Sequence, residues 1–423
     1  MQRAERNWAG NYTYSAAKVH DPETVEQLQE LVRRSTKVRA LGTRHSFNAI
    51  ADSTEALVSL AKFDRVTEVD RSRNTVTIGG GVRYGQLGEH LHREGYALHN
   101  LASLPHISVA GACATATHGS GERNGNLATA VAALDLVNAD GELVSVARET
   151  HGEQFQGMVV GLGALGVITR LTLDVLPTFD VRQDVYEDLS LGQLTANFDA
   201  IQASAYSVSL FTDWQEENFN QVWLKRRVIA GETLASASTF FGATAAPGDR
   251  HPIRGIAAEN CTPQLGIAGA WCDRLPHFRK EFTPSSGEEL QSEYFVPREH
   301  AVAALRAIMT LGARISPHLL VSEVRTVAAD TLWMSPCYRQ DCMAIHFTWK
   351  RNWPTVRALL PDIEAALEPL GARAHWGKLF TMPSTRVQSL FKRLPDFRDL
   401  LQTHDPQGKF RNGFIESHVF ATA

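Results

Sequence analysis

The chain has 423 residues, of which 43% are hydrophobic and 21% are charged, as in an ordinary globular protein. This length exceeds that of one compact core, so we expect two or three domains and an interior large enough to bury a cofactor. A net charge of −4, without a long block of one sign, excludes nucleic acid as an expected partner.

The N-terminus and the cysteines exclude further classes. The first residues lack the continuous apolar segment of a signal peptide, and no later stretch is apolar over the length that spans a membrane. We therefore expect a cytoplasmic protein without a membrane partner. The five cysteines form an odd set without a CxxC pair, which suits neither a disulfide framework nor a zinc site. Free thiols and no metal are expected.

Four elements are predicted before residue 100. Apolar residues at helical spacing predict a helix over residues 24–34, and the following KVRALG predicts a short buried strand that ends at Gly42. Two β-type runs around the polar DRSR predict a hairpin over residues 65–81. The segment YGQLGEHLHREG predicts a helix that stops at Gly95.

Residues 100–128 differ in composition, because small residues, glycines and hydroxyl-bearing residues are more frequent there than in packed helices or strands. We expect a loop region that wraps around a ligand. The run LDLVNADGELVSV predicts a second hairpin with its turn at Asp140 and Gly141. A small-residue turn and a strand then close this part of the chain at Pro177.

A second domain is predicted from residue 178, where aromatic residues become frequent. Its later half predicts strands over 289–296, 319–327 and 342–349 and helices over 299–313 and 356–370. The tail has the glycine and asparagine turns of the first domain. The predicted fold is α+β, with domains 1–177 and 178–375, the second built on an antiparallel sheet, and a segment 376–423 that returns to the first.

The turn from Gly42 to Phe47 is the first candidate for a functional site. It follows a buried strand, and backbone N–H groups in such a turn can converge on phosphate oxygens. His45 in this turn could reach a bound ligand. The alternative is that His45 only forms hydrogen bonds within the turn.

The second feature lies between Ser103 and Gly121, where hydroxyls and backbone amides stand between glycines that permit close approach. Such a surface suits a pyrophosphate or the edge of an isoalloxazine ring. Apolar residues between them indicate burial and argue against the alternative, a ligand-free surface loop. No GxGxxG run with a following acidic residue is present, which disfavours a nicotinamide cofactor.

Two predicted strands carry polar pairs. Glu323 and Arg325 are two residues apart, as are His346 and Thr348, so each pair shares one side of its strand. Two interpretations stay open: a surface salt bridge with a half-buried histidine, which the residues alone favour, and a base beside a cation at a reaction site.

These motifs resemble the vanillyl-alcohol-oxidase type of FAD enzymes over nearly the whole chain. GTRHSFN at 42–48 resembles the histidyl-flavin turn of that family, and SLPHISVAG at 103–111 and ATHGSG at 116–121 resemble its flavin-contacting loops. DPQGKFRNGF resembles its C-terminal signature. Within the family the resemblance is to the sugar-alcohol (alditol) oxidases, through NWAGN, AYSVSLFTDW, QVWLKRR, FTPSSGEELQSEYFVPREHA and HWGK. In one departure, Arg44 stands where those enzymes carry glycine.

The resemblance implies FAD attached covalently to His45. It implies cofactor contacts from Gly42, Thr43, Arg44, His45, Ser46, Ser103, Ser108, Gly111, Thr115, Ala116, Thr117, His118, Ile168 and His375. It implies a substrate site formed by Ser103, Glu323, Arg325, Thr348 and Lys378, with His346, Arg325 and Lys378 as catalytic residues.

For the substrate site we expect His346 to take or relay the hydroxyl proton and Arg325 to stabilise the developing alkoxide. Glu323 and Thr348 would bind further hydroxyls. Lys378 would lie near the flavin, where a positive charge favours the anionic reduced cofactor. The resemblance also places Ala102 at a position that controls the access of oxygen.

The implied activity is FAD-dependent oxidation of a polyol, such as xylitol or sorbitol, at its terminal carbon to the aldose, with O2 reduced to hydrogen peroxide. The expected partners are that polyol and O2, and the expected state is a monomer. Two alternatives stay open: an aldonolactone oxidase or dehydrogenase of the same fold, and a non-catalytic flavin- or carbohydrate-binding protein.

Overall fold

The first helix shows how local sequence sets the fold. The computed structural model describes residues 5–229, 236–281 and 288–421. Helix Val25–Arg34 begins after Thr24, whose hydroxyl accepts a 3.3 Å hydrogen bond from the backbone N–H of Gln27. Its apolar residues recur at helical spacing and form one buried face, made of Leu28, Leu31 and Val32. The predicted helix is confirmed.

Two main sheets form the first part of the chain. A parallel sheet contains, in spatial order, Lys18–His20, Ala56–Ser59 and Val38–Leu41. A five-stranded antiparallel sheet contains, in spatial order, Val66–Asp70, Thr75–Gly79, Val167–Asp174, Val131–Val137 and Leu143–Ala147. A short antiparallel pair joins Tyr96–Ala97 to Leu176–Pro177. Both predicted hairpins are confirmed.

The segment 100–128 contains more regular structure than the sequence predicted. A short helix, Val109–Ala114, and a 3-10 turn, Leu127–Ala130, interrupt the expected loop. Alanine favours a helix, and small side chains let this helix pack closely, so the prediction of a loop was wrong for these residues. Loops remain on either side of the short helix, including residues 103–107 and 116–120.

One ten-stranded sheet forms the second part of the chain, and all the pairings found among the described residues of this sheet are antiparallel. Its spatial order is Thr239–Phe240, Ala243–Ala245, Asp180–Ser190, Asn218–Arg227, Ser207–Thr212, Leu319–Val327, Cys342–Lys350, Glu289–Pro297 and Arg373–Ala374, with Gly269–Ala270 beside Asp180–Ser190. The three predicted strands are confirmed. The start of the motif at 282–301, residues 282–287, lies outside the described residues.

The register of this sheet determines which side chains meet. Glu323 pairs with His346, and His346 pairs in turn with Glu293 on the next strand. Two residues further along the strand, Thr348 pairs with Gln291. Because side chains alternate between the two faces of a strand, these polar residues share one face of the sheet.

The remaining helices surround the two parts. They are Tyr84–Arg93, Arg148–Val159, Leu191–Ala196, Phe198–Gln202, Ala301–Thr310, Gly312–Ile315, Trp353–Leu367, Ser384–Leu390, Leu394–His404 and Gly413–Ile415, followed by a π-helical turn at Glu416–Phe420. The predicted helices are confirmed, although the one over 299–313 is divided into two. In the described ranges, no helix combines the length and apolarity that a membrane crossing requires. All five cysteines are free thiols.

The C-terminal tail packs against the first part of the chain. The backbone N–H of Val38 donates to the carbonyl of Lys409 at 3.0 Å. The side-chain amide of Asn412 donates to the carbonyls of Ala49 and Asp52 at 3.0 and 2.8 Å. The tail thereby supports the strand that leads into the His45 turn.

Candidate active site

A cavity of about 570 Å³ lies between the loops of the first part and one face of the ten-stranded sheet. Its walls include the predicted residues Gly42, Thr43, Arg44, His45, Ser46, Ala102, Ser103, Ser108, Gly111, Thr115, Thr117, His118, Glu323, Arg325, His346, Thr348, His375 and Lys378. Two predicted cofactor contacts, Ala116 and Ile168, are not among the lining residues. Ala116 is buried in the core, and Ile168 belongs to strand Val167–Asp174.

His45 lines the cavity from the turn that follows strand Val38–Leu41. Its ring stacks on the indole of Trp8, with ring centroids 5.0 Å apart. The backbone N–H of Trp8 donates to the carbonyl of Arg44 at 2.8 Å and fixes the turn. Burial, together with the positive charge of Lys378, lowers the pKa of His45 to about 4. Its Nδ1 is buried and has no hydrogen-bond partner among the described residues. The imidazole is therefore neutral at pH 7.

Arg44 has a left-handed backbone conformation, with φ of 65°. Glycine adopts this conformation without steric cost, whereas other residues are strained in it. Arg44 therefore holds a conformation that glycine would adopt without strain. Its guanidinium forms an ion pair with Glu5.

Gly42 lets the His45 turn lie close to the start of helix Val109–Ala114. A Cβ added to Gly42 would lie 2.6 Å from Oγ of Ser108, and one added to Gly111 would lie 2.9 Å from the same atom. The backbone N–H of Ser108 donates to Oγ1 of Thr43 at 3.1 Å. These contacts form a cradle in which a side chain at either glycine would collide with Ser108.

Glu323 and Arg325 form a buried ion pair, with 4% and 8% of their surfaces exposed. Nη2 of Arg325 donates to Oε2 of Glu323 and, at 2.7 Å, to Oγ of Ser103. Oε1 of Glu323 lies 2.8 Å from Nε2 of His277. Burial raises the pKa of Glu323, but Arg325 and His277 outweigh burial and hold it well below the ordinary value. The alternative of a surface salt bridge is therefore wrong.

His346 contacts a carboxylate that the sequence analysis missed. Its Nδ1 lies 3.5 Å from Oε1 of Glu293, and its Nε2 lies 3.2 Å from Oγ1 of Thr348. The same Oε1 lies 3.1 Å from Nε2 of His118. Burial raises the pKa of Glu293, but His118 and His346 outweigh burial and hold it well below the ordinary value. An anionic carboxylate therefore stands between two histidines.

Lys378 reaches the cavity from the segment that runs beside strand Glu289–Pro297. The backbone N–H of Leu379 donates to the carbonyl of Gln291 at 2.9 Å. The ammonium of Lys378 donates to the side-chain oxygen of Gln291 and lies 5.0 Å from the ring centre of Phe47. Burial lowers the pKa of Lys378. Its position links the His45 turn to the sheet.

Both parts of the chain match known protein families. A family model described as an FAD binding domain matches residues 16–147, and one described as D-arabinono-1,4-lactone oxidase matches residues 287–418. An alditol oxidase of Streptomyces sp. is 48% identical over 98% of this chain and 99% of its own length. The chain belongs to the alditol oxidase family.

More distant matches to this member of the alditol oxidase family are found in both sequence and structure. L-gulonolactone oxidase of Mus musculus is 26% identical, with 97% of each chain covered. The crystal structure of cholesterol oxidase from Brevibacterium sterolicum matches with a TM-score of 0.77 over 99% of this chain and 97% of that one. At 15% identity this match shows the fold alone. The predicted α+β class, of the vanillyl-alcohol-oxidase type, is confirmed, and the protein is an FAD-dependent oxidoreductase.

The cavity wall suits FAD on grounds of its own. Gly42, Ser108 and Gly111 all line the cavity, and the absence of side chains at the two glycines leaves room for the Ser108 hydroxyl there. Nδ1 of His45 is a buried nitrogen that the described chain leaves without a partner. A buried polar atom without a partner costs stability unless a ligand uses it, so the residues present fit the cofactor.

The polar residues of the cavity wall that were not predicted from the sequence include Gln291, Glu293 and His277. A signal for the first two was available, because Glu289, Gln291 and Glu293 recur with a period of two in ELQSEYFV. Their shared face matches that of Glu323 across the sheet. His277 lies in an irregular segment, where no periodicity marks a side chain as facing inward.

Substituting Arg44 tests the strained turn. Valine is a β-branched residue and tolerates a positive φ poorly, so Arg44→Val should lower the free energy of unfolding by about 1–3 kcal/mol. Arg44→Gly should stay within about 1 kcal/mol of the wild type, since relief of strain offsets the lost ion pair. Urea unfolding measures both variants. Equal stability of the valine and glycine variants would contradict the strain argument.

Buried histidines should make the protein sensitive to acid. Burial lowers the pKa of His277 to about 4 and that of His375 to about 3. Both are about 6.5 in the unfolded chain, so between about pH 6.5 and pH 4 the unfolded state binds more protons. Stability should therefore fall as the pH drops through this window, by roughly 3 kcal/mol per histidine. Urea unfolding at several pH values measures the slope, and a flat profile would count against neutral buried histidines.

Proposed function

We propose that the protein oxidises an alditol, such as xylitol or sorbitol, at its terminal carbon to the aldose, with O2 reduced to hydrogen peroxide. The observation that carries this proposal is the buried pair of Glu323 and Arg325 beside His346, in the cavity that also contains the His45 turn. Family membership supports the same substrate class, since the Streptomyces relative is named an alditol oxidase.

We propose that FAD is attached covalently through His45. Attachment requires a neutral imidazole, and burial keeps the pKa of His45 near 4. The atom Nδ1 has no competing hydrogen bond among the described residues. The other proposed cofactor contacts are Gly42, Thr43, Arg44, Ser46, Ser103, Ser108, Gly111, Thr115, Thr117, His118 and His375, which share the cavity wall.

The side chains on the sheet are assigned to the substrate. When bound, FAD supplies the acceptor for the hydride of the alcohol carbon. His346 takes the hydroxyl proton at Nε2. Arg325 stabilises the developing negative charge on the oxygen, and its Nε, which has no partner among the described residues, remains available as a donor. Glu323 and Thr348 bind further hydroxyls, which favours polyhydroxylated substrates.

Three residues complete the proposed site. Lys378 provides a second positive charge, held beside the His45 turn by its contact with the Phe47 ring. Ser103 is fixed by its 2.7 Å hydrogen bond to Arg325 and offers its hydroxyl to the substrate. Ala102 lines the same cavity, where its small side chain leaves a path for oxygen to the cofactor.

Anaerobic reduction tests the reaction. Xylitol should bleach the yellow colour of the bound flavin without oxygen, and in air it should yield aldose and hydrogen peroxide in equal amounts. If xylitol, sorbitol and glycerol all failed to bleach the flavin, a non-catalytic flavin- or carbohydrate-binding protein would be the better conclusion.

The second candidate is an aldonolactone oxidase or dehydrogenase, which the lactone oxidase model over residues 287–418 favours. Steady-state turnover of L-gulono-1,4-lactone and xylitol on one preparation separates the two. Turnover of the lactone well above that of xylitol would overturn the alditol assignment. A monomer in the cytoplasm remains our proposed state, since one chain supplies every group named here, and gel filtration measures the oligomeric state.

A further inference from the structure

His118 has a hydrogen-bond acceptor at each ring nitrogen. Its Nδ1 lies 2.7 Å from the carbonyl oxygen of Gly119, and its Nε2 lies 3.1 Å from Oε1 of Glu293. The Nε2 contact ties His118 to the Glu293 carboxylate, and both side chains are buried. His118 thereby holds that carboxylate in place beside His346.

The same carboxylate oxygen sets the tautomer of His346. Nδ1 of His346 lies 3.5 Å from Oε1 of Glu293, and an anionic acceptor there favours hydrogen on Nδ1. Nε2 is then unprotonated and lies 3.2 Å from the Thr348 hydroxyl, which can turn towards a substrate hydroxyl and leave Nε2 free to accept a proton. The ring is held with its basic nitrogen directed away from Glu293.

The other charged groups around His346 cannot fix this tautomer. Glu323 is its neighbour on the adjacent strand, but the two carboxylate oxygens of Glu323 are engaged by His277 and Arg325. Lys378 and Arg325 are donors and cannot accept the Nδ1 hydrogen. Glu293 is thus the acceptor that remains for His346.

We propose that Glu293, paired with His118, is a positioning residue that holds His346 in the tautomer whose Nε2 accepts the hydroxyl proton of the substrate. The inference rests on the proposed role of His346 in alcohol oxidation. The hydroxyl proton would move from the substrate oxygen to Nε2, and FAD, when bound, would supply the acceptor for the hydride of the alcohol carbon. The resulting imidazolium of His346 is stabilised by the negative charge of Glu293.

Two substitutions separate the acceptor from the charge. Glu293→Met removes both, and it should lower kcat for xylitol on the order of 100-fold with little change in KM. Glu293→Gln keeps an oxygen in place of Oε1, so kcat should recover to within about 10-fold of the wild type. The matched control is Glu364→Gln, because Glu364 is also buried and accepts a 2.8 Å hydrogen bond from Tyr294 on the opposite face of the strand.

The tautomer itself is measured by NMR of the substrate-free holoenzyme with 15N-labelled histidine, in which His346→Gln identifies the signals of His346. Wild type, Glu293→Gln and Glu364→Gln should show hydrogen on Nδ1, and Glu293→Met should show a mixture of tautomers. An unchanged tautomer in Glu293→Met, or a kcat loss equal to that of Glu364→Gln, would overturn the proposal. Failure of wild type to oxidise xylitol would instead refute the proposed function, since the NMR signals do not depend on turnover.

Discussion

Acid denaturation of the wild-type protein should give a yellow pellet, and His45→Ala should give a colourless pellet with FAD in the supernatant. The reason is that His45 presents a neutral, buried nitrogen without a hydrogen-bond partner among the described residues, whereas alanine has no nucleophile. Visible absorbance of the washed pellet measures the attachment. Xylitol turnover should also fall, by roughly 10-fold, because the covalent link raises the oxidising power of the flavin.

His106→Ala is the matched control for this experiment. His106 lies on the adjacent loop, where its Nε2 is 2.7 Å from the carbonyl of Lys280, and it does not line the cavity. Its pellet should stay yellow. A yellow pellet from His45→Ala would move the attachment to another residue, and a colourless wild-type pellet would eliminate the covalent bond.

Strand periodicity predicted much of the substrate side of the cavity. Glu323 with Arg325, and His346 with Thr348, share a side because alternate residues of a strand point the same way. The structure places all four at the cavity. Periodicity could not predict burial. A Glu and an Arg two residues apart are equally consistent with an exposed ion pair, and the loops that cover this face of the sheet determine whether the pair is buried.

The register of the strands lay beyond the sequence. Glu293 and His346 meet because strands Glu289–Pro297 and Cys342–Lys350 pair with one particular offset. A shift by one residue would turn Glu293 to the opposite face, and a single sequence does not state which offset packs best. The period-two pattern could have marked Glu293 as a candidate, but its pairing with His346 could not be predicted, although its own strand was.

Backbone conformation at the His45 turn was equally hidden. A sequence shows that Arg44 differs from the glycine of the family, but not whether the site requires a positive φ. In the structure Arg44 has a φ of 65°, a conformation that favours glycine. His277 was not predicted as a site residue for a related reason, since its inward position depends on an irregular segment rather than on a repeating pattern.

Arg325→Met should cost both activity and stability. Without the guanidinium the developing charge on the substrate oxygen loses its donor, and kcat should fall about 10²- to 10³-fold. The Glu323 carboxylate would stay buried without its guanidinium partner and keep the hydrogen bond with His277, which should lower the free energy of unfolding by about 3–5 kcal/mol. Xylitol kinetics and urea unfolding measure the two effects separately.

A double substitution distinguishes a catalytic Arg325 from one that merely keeps the protein folded. Replacing both members of a buried ion pair by apolar residues removes the unpaired charge, so Glu323→Leu with Arg325→Met should recover most of the lost stability. It should recover none of the activity, because neither the donor nor the hydroxyl-binding carboxylate is restored. If kcat rose together with stability in the double variant, the single variant would have failed through misfolding, and the ion pair would be a structural feature of the sheet.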